Sequence, residues 1–115
     1  EENSAIAPIV DAIQLRYRTA ILSNTSPTHF QKALDTSPLL RKFSKRYLSY
    51  EIGAVKPDLV VYQHVIENLN VDPSKILFID DISENIIAAQ HSGMVGVLFT
   101  DPVHLRSELE SRGIL

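Results

Sequence analysis

The sequence predicts an α/β domain in which helices layer onto a mostly parallel β-sheet. Three observations support this fold class. Short apolar runs alternate with segments of helical periodicity along the chain. The run over residues 76–79 has no polar alternation, which is typical of a strand buried on both faces. Polar residues with ligand-binding chemistry directly follow two of the apolar runs, as expected at the carboxyl edge of a parallel sheet.

The N-terminal half is predicted to alternate between helix and strand. Apolar residues at helical spacing predict a helix over residues 4–18, and the apolar run 20–22 predicts a strand. Pro27 suits the first position of a helix, which should end before Ser37-Pro38 because the residue before a proline avoids helical geometry. The alternating residues 47–50 predict a second strand.

The C-terminal half continues the alternation. The same signals predict, in chain order, a helix over 59–69, a strand over 76–79, a helix over 83–92, a strand over 95–99, and a last helix that begins at Pro102 and ends before Gly113.

Composition places the chain among ordinary globular domains. With 115 residues, 44% of them hydrophobic, it has the size of one domain, residues 1–115. The absence of cysteine excludes disulfides and cysteine-ligated metals. A net charge of −3 argues against a nucleic-acid partner. No apolar run reaches the ~18 residues of a membrane span, and residues 1–4 lack the features of a signal peptide, so we expect a cytoplasmic protein without a membrane partner.

The adjacent carboxylates of Asp80 and Asp81 follow the most apolar strand. Such a pair is repulsive unless a cation lies beside it, and oxygen ligands of this kind suit Mg²⁺. The pair alone leaves an alternative open, because Asp81 and Glu84 also have the spacing of a helix capping box. Lys56 could likewise be an exposed loop lysine, and Ser23 an ordinary capping residue.

Taken together, these residues predict a phosphate site. Ser23 and Asn24 follow one predicted strand, and Lys56-Pro57 opens a helix after the loop that leaves another. Because the carboxyl ends of parallel strands meet at one sheet edge, we expect them to lie near the Asp80-Asp81 pair. A cation, a lysine and a hydroxyl at one edge form a site for a phosphoryl dianion.

The same residues resemble three motifs of the haloacid dehalogenase-like (HAD) hydrolases, in the family's order and across essentially the whole chain. Residues 21–25 are similar to the second motif, an apolar strand that ends in Ser or Thr. Residues 53–58 are similar to the third, a lysine before a proline at a helix start. Residues 76–81, followed by Asn85, are similar to the fourth in its Asp-Asp form. Within the family, the sequence resembles the subgroup of sugar-phosphate phosphatases and the phosphatase domain of soluble epoxide hydrolases.

The resemblance implies a role for each matching residue. Ser23 would hydrogen-bond the transferring phosphoryl group, assisted by the backbone N–H of Asn24. Lys56 would neutralise the nucleophile and the charge that develops on the phosphoryl group.

The implied cofactor is Mg²⁺. Asp81 would bind the metal directly, whereas Asp80 would orient Lys56 or assist the metal through water. Asn85 would support the metal site from behind its ligands.

One family motif has no counterpart in this sequence. The family's first motif is a central strand that ends in Asp-x-Asp and supplies the nucleophile and the general acid–base group, and no Asp-x-Asp occurs here. The resemblance therefore implies a Rossmann-like three-layer sandwich whose first strand and substrate-selecting cap lie outside this chain. We expect a missing N-terminal segment or a partner strand to complete the sheet. The alternative is a truncated fold in which the strand of Ser23 pairs directly with that of Asp80.

The implied activity is that of a Mg²⁺-dependent phosphatase. It would hydrolyse a small phosphorylated metabolite through an aspartyl-phosphate, and this segment alone would be inactive because the nucleophile is absent. A metal-independent dehalogenase is the alternative within the fold, although an Asp-Asp pair without a metal would add only repulsion. A catalytically inactive binding or regulatory module is the alternative outside enzymes.

Overall fold

The computed structural model of the protein describes residues 4–115. The first three positions of the predicted domain 1–115, on which the expectation of no signal peptide largely rests, lie outside the described residues. Helices and strands alternate in the order α1 (Ile6–Gln14), β1 (Ile21–Ser23), α2 (Pro27–Thr36), β2 (Arg46–Leu48), α3 (Ser49–Ile52), α4 (Leu59–Leu69), β3 (Leu77–Asp80), α5 (Ser83–His91), β4 (Val95–Leu98) and α6 (Pro102–Ser111). Within residues 4–115, no helix is both long and apolar enough to cross a membrane.

The strands form two separate parallel pairs. β1 pairs with β2, so that Ser23 lies opposite Leu48, and β3 pairs with β4, so that Asp80 lies opposite Leu98. The prediction of an α/β fold with parallel strands is therefore confirmed. β1 and β3 do not pair with each other, so the alternative in which these two strands are direct neighbours is wrong.

Helices cover the sheet on two faces, which gives the predicted three layers. The α4/α5-face cluster is formed by residues of α4 and α5 with partners from the strands and from the residue before β4: Tyr47, Tyr62, Val65, Ala88, Ala89, Met94, Leu22 and Phe78. The α1/α6-face cluster contains Ile9, Leu105, Leu109 and Val97, with Leu77 and Ile79 packed against it. Successive residues of β3 thus enter opposite clusters, because side chains alternate along a strand.

Side-chain caps fix the starts of three helices where the sequence indicates them. The Ser26 side chain accepts a hydrogen bond from the N–H of His29 (3.2 Å) and thereby begins α2. Asp58 begins α4 in the same way, and Asp101 begins α6 by accepting from the N–H of His104 (2.8 Å). Such caps satisfy N–H groups that have no partner inside the helix.

Two predicted elements end at least two residues earlier than expected. The second strand stops at Leu48, and Ser49 begins the helical turn α3, which closes where Gly53 adopts φ 86° and donates its N–H to the Ser49 carbonyl (2.8 Å). α1 ends at Gln14, whose side chain donates to the hydroxyl of Thr19 and to the Lys42 carbonyl (3.0 Å each). These bonds fix a turn where the apolar pattern predicts helix to residue 18.

β3 is less buried than its composition predicts. Each of its residues, Leu77 to Asp80, is only partly buried, although the uninterrupted apolar run predicts a strand buried on both faces. The physical reason is the sheet topology: β3 has a paired neighbour on one side only.

Candidate active site

The Lys56 ammonium joins the carboxyl ends of β1 and β3. It donates to the Leu22 carbonyl (3.1 Å) in β1 and to Oδ2 of Asp80 (2.9 Å) at the end of β3. Its side chain is 13% exposed and that of Asp80 is 7% exposed, so the ion pair is largely shielded from water. The predicted meeting of residues from separate strands at one sheet edge is therefore present.

The Asp80 carboxylate accepts three hydrogen bonds. Oδ1 accepts from the N–H of Ile82 (2.9 Å), and Oδ2 accepts from Lys56 and from the side-chain amide of Asn85 (3.2 Å). Burial raises the pKa of Asp80, but the three hydrogen bonds and the charge of Lys56 outweigh it, so the pKa lies below its ordinary value. Asp80 is therefore held ionised and holds the Lys56 ammonium in place.

Asn85 and Tyr62 support Asp80 from the core. Asn85 is 3% exposed, and its backbone carbonyl accepts a hydrogen bond from the hydroxyl of Tyr62 (3.0 Å). Burial, with a smaller contribution from the Asp80 charge, raises the pKa of Tyr62 to about 12. The sequence places Tyr62 on the apolar face of α4 but gives no signal for this link, because its partner lies 23 residues away.

Asp81 contrasts with its neighbour. Its side chain is exposed, and no residue from 4 to 115 hydrogen-bonds it or forms an ion pair with it. α5 begins after Ile82 without a side-chain cap, so the alternative in which Asp81 starts a capping box is wrong. Because it has no partner within residues 4–115, the Asp81 carboxylate is available to a ligand.

Ser23 and Asn24 lie at the end of β1. Ser23 is partly buried, and its hydroxyl has no hydrogen-bond partner in the described part of the chain. The Asn24 side chain, by contrast, is engaged with the backbone of Lys56: its amide donates to the Lys56 carbonyl (3.1 Å), and its Oδ1 accepts from the Lys56 N–H (2.9 Å). The sequence predicts a role only for the Asn24 backbone, and that role stays a prediction.

Ser49 is a further residue that the sequence did not indicate. It is 5% exposed, and its hydroxyl accepts from the N–H of Thr25 (2.8 Å) and donates to the carbonyl of the same residue (3.0 Å). It thereby anchors the turn that follows Ser23 to the end of β2. These partners are 24 residues apart, so the local sequence pattern does not predict the contact.

The donor set at this edge fits Mg²⁺. Asp80 and Asp81 offer adjacent carboxylates, of which that of Asp81 is unengaged, and Mg²⁺ in phosphate-handling sites takes one or two carboxylates together with water and phosphate oxygens. Residues 4–115 contain no group of three or more His, Asp or Glu side chains placed to hold a metal. Asp80 and Asp81 are the residues that would hold such an ion, with water and phosphate oxygens as its other ligands.

Comparisons with known sequences identify relatives among phosphatases. The family described as haloacid dehalogenase-like hydrolase matches residues 4–93. The sesquiterpene phosphatase astK of Aspergillus oryzae is 44% identical over 57 residues, which are 50% of this chain and 29% of that protein. The D-ribitol-5-phosphate phosphatase of Bacteroides thetaiotaomicron is 35% identical over 83 residues, or 67% of this chain and 40% of that protein. The chain thus spans less than half the length of these relatives.

Solved structures share the fold. A HAD family enzyme from Bacteroides thetaiotaomicron, in complex with magnesium and inorganic phosphate, is similar with a TM-score of 0.72 and 29% identity over 85% of this chain and 55% of that one. A HAD-like hydrolase from Porphyromonas gingivalis reaches a TM-score of 0.81 at 24% identity, over 95% of this chain and 58% of that one. On the extent of the family match and this shared fold, the chain belongs to the haloacid dehalogenase-like hydrolases.

Proposed function

We propose that the protein containing this chain is a Mg²⁺-dependent phosphatase of a small phosphorylated metabolite. The observation that carries the proposal is the Lys56 ammonium, held between the Leu22 carbonyl and Asp80. Asp81, the next residue after Asp80, has a carboxylate without a partner in residues 4–115. A fixed positive charge at the sheet edge that also supplies a free carboxylate suits a metal-bound phosphoryl group. Two relatives carry phosphatase in their names and support the same class of reaction.

The chain's own residues would bind and polarise the phosphoryl group. The Ser23 hydroxyl, which has no partner within residues 4–115, would donate to a phosphoryl oxygen. Lys56 would lie beside the same group, since its ammonium contacts the strand that ends at Ser23. Asp81, assisted by Asp80, would hold Mg²⁺, which supplies charge neutralisation at the phosphoryl oxygens when bound. Catalysis would therefore be mainly electrostatic and positional.

The nucleophile would come from a strand outside the described residues, in an N-terminal segment or a partner chain. β1 and β3 each pair on one side only, and the Lys56 ammonium spans the space between their carboxyl ends. A strand placed there would satisfy both edges, which otherwise present unpaired N–H and C=O groups. A carboxylate at its end would attack phosphorus as the bond to the leaving oxygen breaks and that oxygen takes a proton. Water would then release inorganic phosphate and restore the carboxylate.

A phosphatase assay of the full-length protein tests the proposal. We expect Mg²⁺-dependent hydrolysis of p-nitrophenyl phosphate that EDTA abolishes, and we expect Asp81→Ala or Lys56→Ala to lower kcat by about 10²-fold or more, because contacts to developing charge have effects of this size. Glu67→Ala and Lys32→Ala are matched controls, since both side chains are exposed and lie outside the site.

Three outcomes would count against the proposal. If Asp81→Ala or Lys56→Ala retains turnover within about twofold of wild type, the assigned roles are wrong. If the full-length wild type has no turnover but binds phosphorylated ligands, the binding or regulatory module is favoured instead. Halide release from 2-haloacids without Mg²⁺ would favour the dehalogenase. The cytoplasmic location stays a prediction.

A further inference from the structure

We propose that the side chain of Asn24 is a positioning group for Lys56. Its amide would act by fixing the backbone from which the Lys56 ammonium reaches the site, which is a different role from that of a phosphate-binding backbone N–H. The effect on catalysis rests on the proposed phosphatase function, whereas the clamp itself is a property of the chain.

The Asn24 amide binds both polar backbone groups of one residue. Its Nδ2 donates to the Lys56 carbonyl at 3.1 Å, and its Oδ1 accepts from the Lys56 N–H at 2.9 Å. A side chain needs a donor and an acceptor on one planar group to do this, and among residues of this length asparagine alone has both. Aspartate has the same shape but no donor, so a carboxylate oxygen would face the Lys56 carbonyl.

Lys56 depends on this clamp for its backbone hydrogen bonds. Within residues 4–115, the N–H and C=O of Lys56 have no other hydrogen-bond partner than the Asn24 side chain. α4 begins only at Leu59, and the preceding loop residue Val55 is 53% exposed. The turn in which the Asp58 N–H donates to the Val55 carbonyl (2.9 Å) spans Lys56 but uses neither of its backbone groups. Without Asn24, the loop would lose the contact that sets its distance from β1.

The residues on either side of Asn24 are themselves held by hydrogen bonds. Asn24 is followed by Thr25, whose N–H and C=O are both bound by the buried hydroxyl of Ser49. On the other side, the carbonyl of Leu22 in β1 accepts from the Lys56 ammonium. One short stretch of chain at the end of β1 therefore holds Lys56 at its nitrogen, its carbonyl and its ammonium.

Hydrogen exchange tests the clamp without reference to activity. We expect the Lys56 amide of the full-length protein, observed by NMR after ¹⁵N-lysine labelling, to exchange at least about threefold faster in Asn24→Ala than in wild type, the effect of losing the hydrogen bond from that N–H to Oδ1. Asn24→Asp keeps an acceptor for the N–H, so its exchange should lie closer to that of wild type. Asn68→Ala is the matched control, because the Asn68 side chain binds the hydroxyl of Tyr47 at a different place. Lys56 exchange within twofold of wild type in Asn24→Ala would overturn the proposal.

A double-mutant cycle tests whether Asn24 acts through Lys56. With p-nitrophenyl phosphate as substrate, we expect Asn24→Ala to lower kcat about tenfold in the wild-type background and less than twofold in the Lys56→Ala background. Equal losses in both backgrounds would overturn the positioning role. An inactive wild type would count against the phosphatase function and not against the clamp, which the exchange measurement decides.

Discussion

The two halves of the sheet are held by different kinds of contact. The β3–β4 half has apolar cover on both faces, since Phe78 enters the α4/α5-face cluster while Leu77, Ile79 and Val97 belong to the α1/α6-face cluster. The β1–β2 half contributes Leu22 and Tyr47 to the first cluster and no residue of the described chain to the second. The end of this half that carries the candidate site is instead held by hydrogen bonds and an ion pair.

These hydrogen bonds and this ion pair lie at the proposed phosphatase site. Asn24 with Lys56 and Ser49 with Thr25 secure the end of β1, and the Lys56–Asp80 ion pair links it to β3. A core side chain contributes about 2–5 kcal/mol, whereas an ordinary hydrogen bond contributes about 1 kcal/mol. The comparison teaches that apolar contacts on both faces hold the β3–β4 half, and that the candidate site lies where this half meets the polar contacts at the end of β1.

The largest expected effect comes from breaking the α1/α6-face cluster. Leu109 is fully buried in it, so Leu109→Ala should lower the free energy of unfolding by about 3 kcal/mol through lost burial and a residual cavity. Urea unfolding followed by circular dichroism measures the change. Val103→Ala on the same helix, at an 81% exposed position, should change stability by less than about 0.5 kcal/mol. A loss below about 1 kcal/mol for Leu109→Ala would show that this face contributes little.

The next effect separates the two adjacent carboxylates. Asp80→Asn removes the charge that pairs with the largely buried Lys56 ammonium and should lower the free energy of unfolding by about 2 kcal/mol. Asp81→Asn changes an exposed carboxylate that has no intramolecular partner in residues 4–115. Its free energy of unfolding should therefore stay within about 0.5 kcal/mol of that of wild type. Thermal unfolding in metal-free buffer checks both variants, and equal losses would contradict the division between them.

A third test addresses close packing in the β3–β4 half. A Cβ added to Gly96 in β4 would lie 2.8 Å from Cγ2 of Ile86, so Gly96→Ala should lower the free energy of unfolding by about 2 kcal/mol through overpacking. In the Ile86→Ala background only the 3.3 Å approach to Cγ of Gln90 remains, and the same substitution should cost less than about 1 kcal/mol. Urea unfolding of the wild type, Gly96→Ala, Ile86→Ala and the double variant gives the four free energies of unfolding to be compared.

The smallest effect is pH-dependent. Tyr62→Phe removes the hydrogen bond to the Asn85 carbonyl and should cost about 1 kcal/mol at pH 7. The pKa of Tyr62 is raised to about 12 in the folded protein, so the wild type loses stability as the pH rises from about 10 to about 12, where the unfolded chain ionises first. The variant lacks this loss, and the stability difference should therefore shrink or reverse by pH 11. A constant difference between pH 8 and pH 11 would contradict this assignment.

Much of the fold can be predicted, because the signals for helix starts and for strands each lie within a short stretch of sequence. Pro27, Asp58 and Asp101 mark helix starts, and short apolar runs mark the strands. The edge at which Ser23 and Asp80 lie then follows from the parallel arrangement of the strands.

The hydrogen bonds that hold the site together could not be predicted, because they join residues that are distant in sequence. Asn24 binds a backbone 32 residues away, and nothing in the neighbourhood of either residue encodes the match. Asp81 was an ambiguous case, because capping and ligand binding both require a carboxylate before a helix. The structure decides against capping, since α5 begins after Ile82 and no side chain caps its start.

The contacts of Lys56 set a limit on what the site can bind at one time. An ammonium carries three protons, and the Leu22 carbonyl and the Asp80 carboxylate accept two of them. One proton is left for an incoming oxygen, provided both internal bonds persist. A nucleophilic carboxylate and a phosphoryl oxygen would then have to share it or take it in turn, so that Lys56 could follow the negative charge from one to the other as the bond to phosphorus forms.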